Sequence, residues 1–170
     1  MESSFILSLQ KMLSSDIARN AVGFCARWAI YCFIPFVIVA RSSKLMRHAV
    51  LEAGWTALLA MTLSTGLAAL VGRMRPYLAI AGVEAIVPPN IQAGSFPSSH
   101  TAIAVGVAIA LTFADARIGA VAIALAVLVA VGRVASGMHF PTDVLGGAVI
   151  GAVAFMLVRV IHQALKGTGM

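Results

Sequence analysis

Arg133, His139 and Asp143 fall in one short stretch, Gly132 to Gly147 (GRVASGMHFPTDVLGG), at the junction between two strongly apolar runs. Ionisable residues at a membrane boundary are costly to desolvate, and they serve there as functional groups or as paired anchors. A cation, an imidazole and a carboxylate so close together can bind an anion, attack it and orient the attacking ring. His139 stands four residues before Asp143. The carboxylate is therefore expected to accept from one ring nitrogen, which fixes the tautomer and leaves the other nitrogen free to attack.

Two further junctions supply what such a site lacks. GRMRP, Gly72 to Pro76, carries Arg73 and Arg75, and Pro97-Ser98-Ser99-His100 opens another apolar run. Arginine matches a tetrahedral oxyanion bidentately. The N–H groups of Ser98, Ser99 and His100 at a helix start add an anion cradle, although Ser98 and Ser99 also read as simple N-caps. Few acids are present, which disfavours magnesium or calcium. Zinc on two histidines and an aspartate would be repelled by the arginines. No metal or other cofactor is expected. The set suits phosphate, with His139 attacking phosphorus, His100 protonating the leaving oxygen and later activating water, and arginines stabilising the equatorial oxygens.

The elements that must position these residues are membrane helices. Of 170 residues, 61% are hydrophobic and 11% charged, far fewer charges than in a soluble domain. The apolar residues come in long runs, Ala29 to Ala40, Thr101 to Ala114, Ile118 to Gly132 and Val144 to Val158. The net charge of +6 does not indicate nucleic acid, because the basic residues lie between apolar runs and form no stripe with interleaved aromatics. Cys25 and Cys32 sit seven positions apart on one expected helix, roughly 10 Å and too far to bridge. MESSF offers no basic leader region, so the first span is expected to be retained.

The expected fold is an all-α polytopic bundle over residues 1–170, with about five transmembrane helices and an N-terminal amphipathic interfacial helix over residues 4–15. The first span runs from about Asn20 to Ala40, interrupted by Arg27, which either snorkels or pairs with Asp16 or Glu52, and Pro35 is a kink site. Arg41 to His48 carries three basic residues and no acid, so the positive-inside rule makes it cytoplasmic. The second span, Ala49 to Val71, leads outward, and residues 77–96 form an interfacial loop in which Glu84 is either a solvated acid or a headgroup contact. The third span ends at Ala114, the fourth covers Ile118 to Ser136, and the last, capped by Thr142 or Asp143, runs to about Leu165. This topology puts Arg41, Lys44, Arg47, Arg117, Arg159 and Lys166 inside. It puts Arg75, His100, Arg133, His139 and Asp143 together outside. Gly147 and Gly151 form a GxxxG pair suited to packing within the bundle, with homodimerisation as the second use.

The chain resembles the type 2 phosphatidic acid phosphatase family, integral-membrane lipid phosphatases related to vanadium-dependent haloperoxidases. The resemblance spans Ala68 to Leu145. Arg75-Pro76 looks like the end of the first motif (a lysine, six residues, Arg-Pro), PSSH resembles the second, and Arg133, five residues, His139, three residues, Asp143 reproduces the third. Three departures stand out: Ala68 occupies the lysine position, Ser99 replaces a usual glycine, and Gly132 stands where serine often precedes the arginine. Arg73 is the nearest substitute for the lysine.

The resemblance implies a metal-independent phosphatase acting on a lipid phosphate or pyrophosphate at the outer face of a bacterial inner membrane. It implies a phosphohistidine on His139, support from Asp143, acid/base work by His100, and a phosphate held by Arg75, Arg133, Ser98 and Ser99. The short chain is similar to small bacterial members acting on undecaprenyl pyrophosphate. Phosphatidylglycerophosphate, phosphatidic acid, a phosphotransferase and a non-catalytic lipid-binding or transport protein stay open as alternatives.

Overall fold

The computed structural model describes residues 2–34, 38, 44–88 and 94–167. Pro35, Arg41 and Pro89 lie outside the described residues. The described chain is helical, in the order α1 (Glu2–Met12), α2 (Asp16–Arg27), a 3-10 turn (Ala29–Cys32), α3 (Lys44–Val71), α4 (Pro76–Ala79), α5 (Ser99–Thr112), α6 (Ala116–Ala135) and α7 (Pro141–Gly167).

Local chemistry sets the boundaries. Ser15 Oγ accepts from the Ala18 N–H at 3.2 Å to start α2, and Asp115 Oδ1 accepts from the N–H groups of Arg117 (2.8 Å) and Ile118 (3.1 Å) to start α6. Pro76 and Pro141 open their helices, where a missing N–H costs nothing. At the start of α7 the Asp143 carboxylate reaches back to the Phe140 N–H at 2.8 Å, as in a capping box.

The central element is α5, which packs against α3, α6 and α7. Its sequence SHTAIAVGVAIALT is built of small residues, and most of it is buried. Its 14 residues span roughly 21 Å at 1.5 Å each, short of a bilayer core, and its neighbours cover it. Gly106 and Gly151 meet where α5 crosses α7: a methyl group on Gly106 would stand 3.1 Å from the Gly151 carbonyl, and one on Gly151 would press on the Ala102 carbonyl. Gly147 faces the Ser98 carbonyl in the same way. The GxxxG face thus packs within the chain.

The outward faces invert the soluble pattern. On α7, Leu145, Val149, Met156 and Val160 are exposed while Ala154 and Phe155 are buried. Many large apolar side chains outside and an interior rich in alanine and glycine make this an integral membrane bundle. Among the described residues, three helices are long and apolar enough to cross a bilayer, and α5 is a shorter apolar helix.

One expectation needs correction. The first span is not one continuous helix over its described part: α2 ends at Arg27 and a 3-10 turn follows. The N-terminal helix keeps part of its apolar face outward, with Phe5 and Met12 exposed, and seats the rest on the bundle. Ile6 is fully buried with Val83, Val134 and Phe140, because the bundle end itself offers an apolar seat. Gln10 fastens α1 there by donating to the Glu84 (2.9 Å) and Ala135 (3.1 Å) carbonyls.

If the α5–α7 crossing sets the bundle, Gly151→Val overpacks it and costs about 1–3 kcal/mol. Thermal unfolding in detergent should show a lowered midpoint, whereas Gly66→Ala, at a site with nothing within 4 Å, leaves it unchanged or raised.

Candidate active site

Three junctions meet at one end of the bundle: residues 72–75 after α3, residues 94–98 before α5, and the α6–α7 turn. The turn is tightly specified. The Arg133 carbonyl accepts from the N–H groups of Met138 (3.3 Å) and His139 (3.2 Å), and from Ser136 Oγ at 3.2 Å. Gly137 has φ +72, where a side chain is strained. The 77–86 segment straps the turn through Tyr77 N–H to the Gly137 carbonyl (3.2 Å) and Ile86 N–H to the Ser136 carbonyl (3.1 Å).

His139 is buried, with both ring nitrogens engaged. Nδ1–H donates to the Ser95 carbonyl at 2.7 Å, and Nε2 accepts from Arg133 Nη2 at 3.0 Å. A carbonyl only accepts and a guanidinium only donates, so the ring is the neutral Nδ1–H tautomer. Burial pushes its pKa down from 6.5 to about 4; Asp143 opposes that shift, and the Arg133 and Arg75 charges reinforce it. At neutral pH, Nε2 therefore carries a lone pair.

The expected hydrogen bond from His139 to Asp143 is not the one that sets the tautomer. The carboxylate lies 3.8 Å from Nδ1, an electrostatic neighbour beyond hydrogen-bond range. Asp143 instead accepts from Ser95 Oγ, from the Phe140 N–H and from Arg73 Nη1 at 2.7 Å. Ser95 thus holds both partners, the ring by its carbonyl and the carboxylate by its hydroxyl.

A cavity of about 470 Å³ opens beside the ring, lined among others by Arg75, Ser99, His100, Arg133 and His139. Arg75 is buried and donates from Nη1 to the Met138 carbonyl at 3.4 Å. Arg133 donates from Nη1 to the Ala26 carbonyl at 3.2 Å, and its Nε is buried with no partner among the described residues. Among the described residues no group of three or more His, Cys, Asp or Glu side chains is arranged to hold a metal ion.

Ser98 and Arg73 lie elsewhere than the sequence suggested. Ser98 is fully buried, its N–H donates to the Asp143 carbonyl at 3.0 Å, and its Oγ accepts from Thr101 at 3.1 Å. Its N–H is committed to α7 and its hydroxyl oxygen to α5, while Ser99 and His100, not Ser98, line the cavity. Arg73 stands behind Asp143, donating to Thr142 Oγ1 and Asp143 Oδ1 at 2.7 Å each and to Glu2 Oε2 at 3.1 Å. Its guanidinium also covers the Phe140 ring at 4.1 Å. Burial would raise the Glu2 pKa, but hydrogen bonds from Thr142 and Arg73 hold it below the usual carboxylate range. Ala68 is buried and its carbonyl abuts Gly94. Arg27 finds neither Asp16 nor Glu52: it stacks on Trp28 at 5.3 Å, while Glu52 pairs with Arg159 (3.2 Å) and His162 (2.9 Å) at the far end. Glu84 pairs with Arg19.

Sequence reasoning missed Ser95, Glu2 and Gln10. Only the nearness of Ser95 to PSSH hinted at it, and Glu2 and Gln10 act on residues more than 70 positions away.

The arrangement can hold a tetrahedral oxyanion between Arg75, Arg133 and the start of α5, with an unprotonated Nε2 beside it. The PAP2 superfamily model matches residues 49–166, covering all three junctions. The chain belongs to the PAP2 superfamily. It is 30% identical over 141 residues (82% of this chain, 72% of the relative) to undecaprenyl-diphosphatase BcrC of Bacillus subtilis (strain 168). It is 27% identical over 172 residues (95% and 83%) to a bacitracin transport permease protein BcrC of Bacillus licheniformis. Among solved structures it shares the fold of Aquifex aeolicus LpxE (TM-score 0.75, 24% identity, 89% and 91% coverage). The PAP2-type phosphatidylglycerolphosphate phosphatase of Bacillus subtilis aligns with a TM-score of 0.52 at 23% identity, covering 94% and 93%. This PAP2 protein is a lipid phosphatase by family, and its third motif is the α6–α7 turn.

Within this PAP2 site, Arg73 contacts Asp143, Thr142 and Glu2 and is not among the residues that line the cavity, so its expected effect runs through Asp143. Arg73→Ala should lower kcat about 10- to 100-fold, the scale of a hydrogen bond to a charged group, with KM little changed. A phosphate ligand would instead show mainly in KM.

Proposed function

We propose that this chain hydrolyses a lipid diphosphate, undecaprenyl pyrophosphate first among them, through a phosphohistidine on His139. The observation that carries the reading is the tautomer: Nδ1–H is committed to the Ser95 carbonyl, and Nε2 stands at the cavity wall. As substrate enters, Arg133 transfers its hydrogen bond from Nε2 to a phosphoryl oxygen. Nε2 attacks the terminal phosphorus, the bond to the bridging oxygen breaks, and His100, which takes up a proton as the anionic headgroup enters, gives it to that oxygen, releasing the lipid monophosphate. A water then attacks the phosphohistidine, its proton passes to His100, and inorganic phosphate leaves. Arg75, Arg133 and the Ser99 and His100 N–H groups stabilise the equatorial oxygens throughout.

The substrate choice is supported by the 30% identity to undecaprenyl-diphosphatase BcrC. The outer-face orientation is supported by Arg47, Arg117, Arg159 and Lys166, which lie toward the opposite end of the bundle and by charge bias belong in the cytoplasm. A transport role shares only the name of the Bacillus licheniformis relative.

The test is phosphate release by purified protein in detergent with excess chelator, offering undecaprenyl pyrophosphate, phosphatidic acid and phosphatidylglycerophosphate side by side. Release from the diphosphate should persist in chelator and fall by at least about 10³-fold in His139→Ala, as expected for loss of a nucleophile. Wild-type rates in that variant would refute the mechanism, and preference for a monoester would refute the substrate.

A further inference from the structure

Arg27 is the cation the motifs do not account for. It ends α2, is exposed, and lines the catalytic cavity together with Tyr31, His100, Arg133 and His139. It also lines a second cavity of about 700 Å³ between α2 and residues 85–88, so it stands on the wall the two spaces share. Among the described residues no carboxylate pairs with it, and its guanidinium lies over the Trp28 ring at 5.3 Å. The arginines deeper in the site are already engaged, Arg133 by His139 and Ala26, Arg75 by Met138.

Its position is fixed by the backbone. A methyl group on Gly132 would stand 2.7 Å from the Ala26 nitrogen and 2.8 Å from the Cys25 carbonyl carbon. Only glycine lets α2 sit so close to α6. The Arg133 to Ala26 hydrogen bond, 3.2 Å, then locks the register one residue before Arg27. Two of the departures from the family pattern thus converge here. Ala68 leaves α3 without the cation of the family pattern, at a buried position whose carbonyl abuts Gly94. Gly132 brings α2 near enough to supply one from another side.

A cavity of about 470 Å³ is in the size range that takes whole small ligands and not only a single oxyanion. The phosphoryl group under attack must lie at Nε2, between Arg75 and Arg133. The rest of the headgroup then extends along the cavity, whose wall includes the exposed Arg27. We infer that Arg27 binds the second phosphate of a lipid diphosphate, the one that leaves with the lipid, and so makes the site favour diphosphates over monophosphates. This rests on the phosphatase reading above and adds to it a specificity residue outside the three motifs. The leaving phosphate gains negative charge as the bridging bond breaks, and a guanidinium at that oxygen also stabilises the transition state.

The experiment compares Arg27→Ala and Arg27→Lys with the unaltered protein on undecaprenyl pyrophosphate and undecaprenyl phosphate in the same micelles. Inhibition by inorganic pyrophosphate and by orthophosphate is measured in parallel. Arg27→Ala should lower kcat/KM for the diphosphate about 10-fold or more, the scale of one charge-assisted hydrogen bond. The same variant should raise the inhibition constant of pyrophosphate by a similar factor. Turnover of the monophosphate and inhibition by orthophosphate should stay within about 2-fold, and Arg27→Lys should recover part of the loss. Equal losses on both substrates, or none on either, would overturn the inference. The His139→Ala control separates the two readings: normal turnover there would remove the phosphatase mechanism, and with it this role for Arg27. Abolished turnover there with unchanged Arg27→Ala selectivity would remove the Arg27 role alone.

Discussion

The structure depends on a buried carboxylate that ties three chain junctions together. Asp143 is fully buried and accepts from Arg73, Ser95 Oγ and the Phe140 N–H. Its backbone carbonyl accepts from Ser98. A charge removed from water costs several kcal/mol unless its lone pairs are met, and here each donor arrives from a different part of the chain. Satisfying Asp143 therefore brings the end of α3, the lead into α5 and the start of α7 to one point. His139 and Arg133 are positioned as a consequence, because the segment that donates to the carboxylate also offers the Ser95 carbonyl to the ring.

Helix packing makes this convergence rigid. Small residues bring α5 and α7 into backbone contact from Gly147 to Gly151, and Gly147 faces the Ser98 carbonyl next to the hydrogen bond that reaches Asp143. In lipid the apolar surface supplies little drive for helices to associate, and close approach of backbones takes its place. The same device recurs at Gly132, where α2 seats on α6. On the opposite side of the turn, α1 covers the site and lends Glu2 to the back of Arg73. The polar cluster is thus enclosed by protein and open on the cavity side.

Much of this was legible in the sequence. The long apolar runs gave a helical membrane bundle, and alternating the spans was enough to bring Arg75, His100, Arg133, His139 and Asp143 to one end. What the sequence could not reveal is which neighbour each polar group selects. His139 and Asp143 are spaced to meet on a helix, yet His139 precedes α7, and the turn there aims Nδ1 at a carbonyl, a group every residue carries. Arg73 and Arg75 look alike in GRMRP, but the non-helical chain leaving α3 sends one behind the carboxylate and the other into the cavity. Ser98 looked like a phosphate ligand because a helix start normally has free N–H groups; here the approach of α7 takes one of them. The amphipathic face of α1 was plain, but periodicity does not say whether lipid or protein will cover it.

The most direct test is the chemical identity of the phosphoenzyme. Wild-type and His100→Ala protein would be mixed with undecaprenyl pyrophosphate, quenched in alkali within the first turnovers, and the phosphorylated peptide and its isomer determined. Because Nδ1–H is held by the Ser95 carbonyl, the phosphoryl group is expected on Nε2 of His139, accumulating when His100 is absent. Phosphate on Nδ1, on His100, or on no residue in protein that turns over normally would contradict the account.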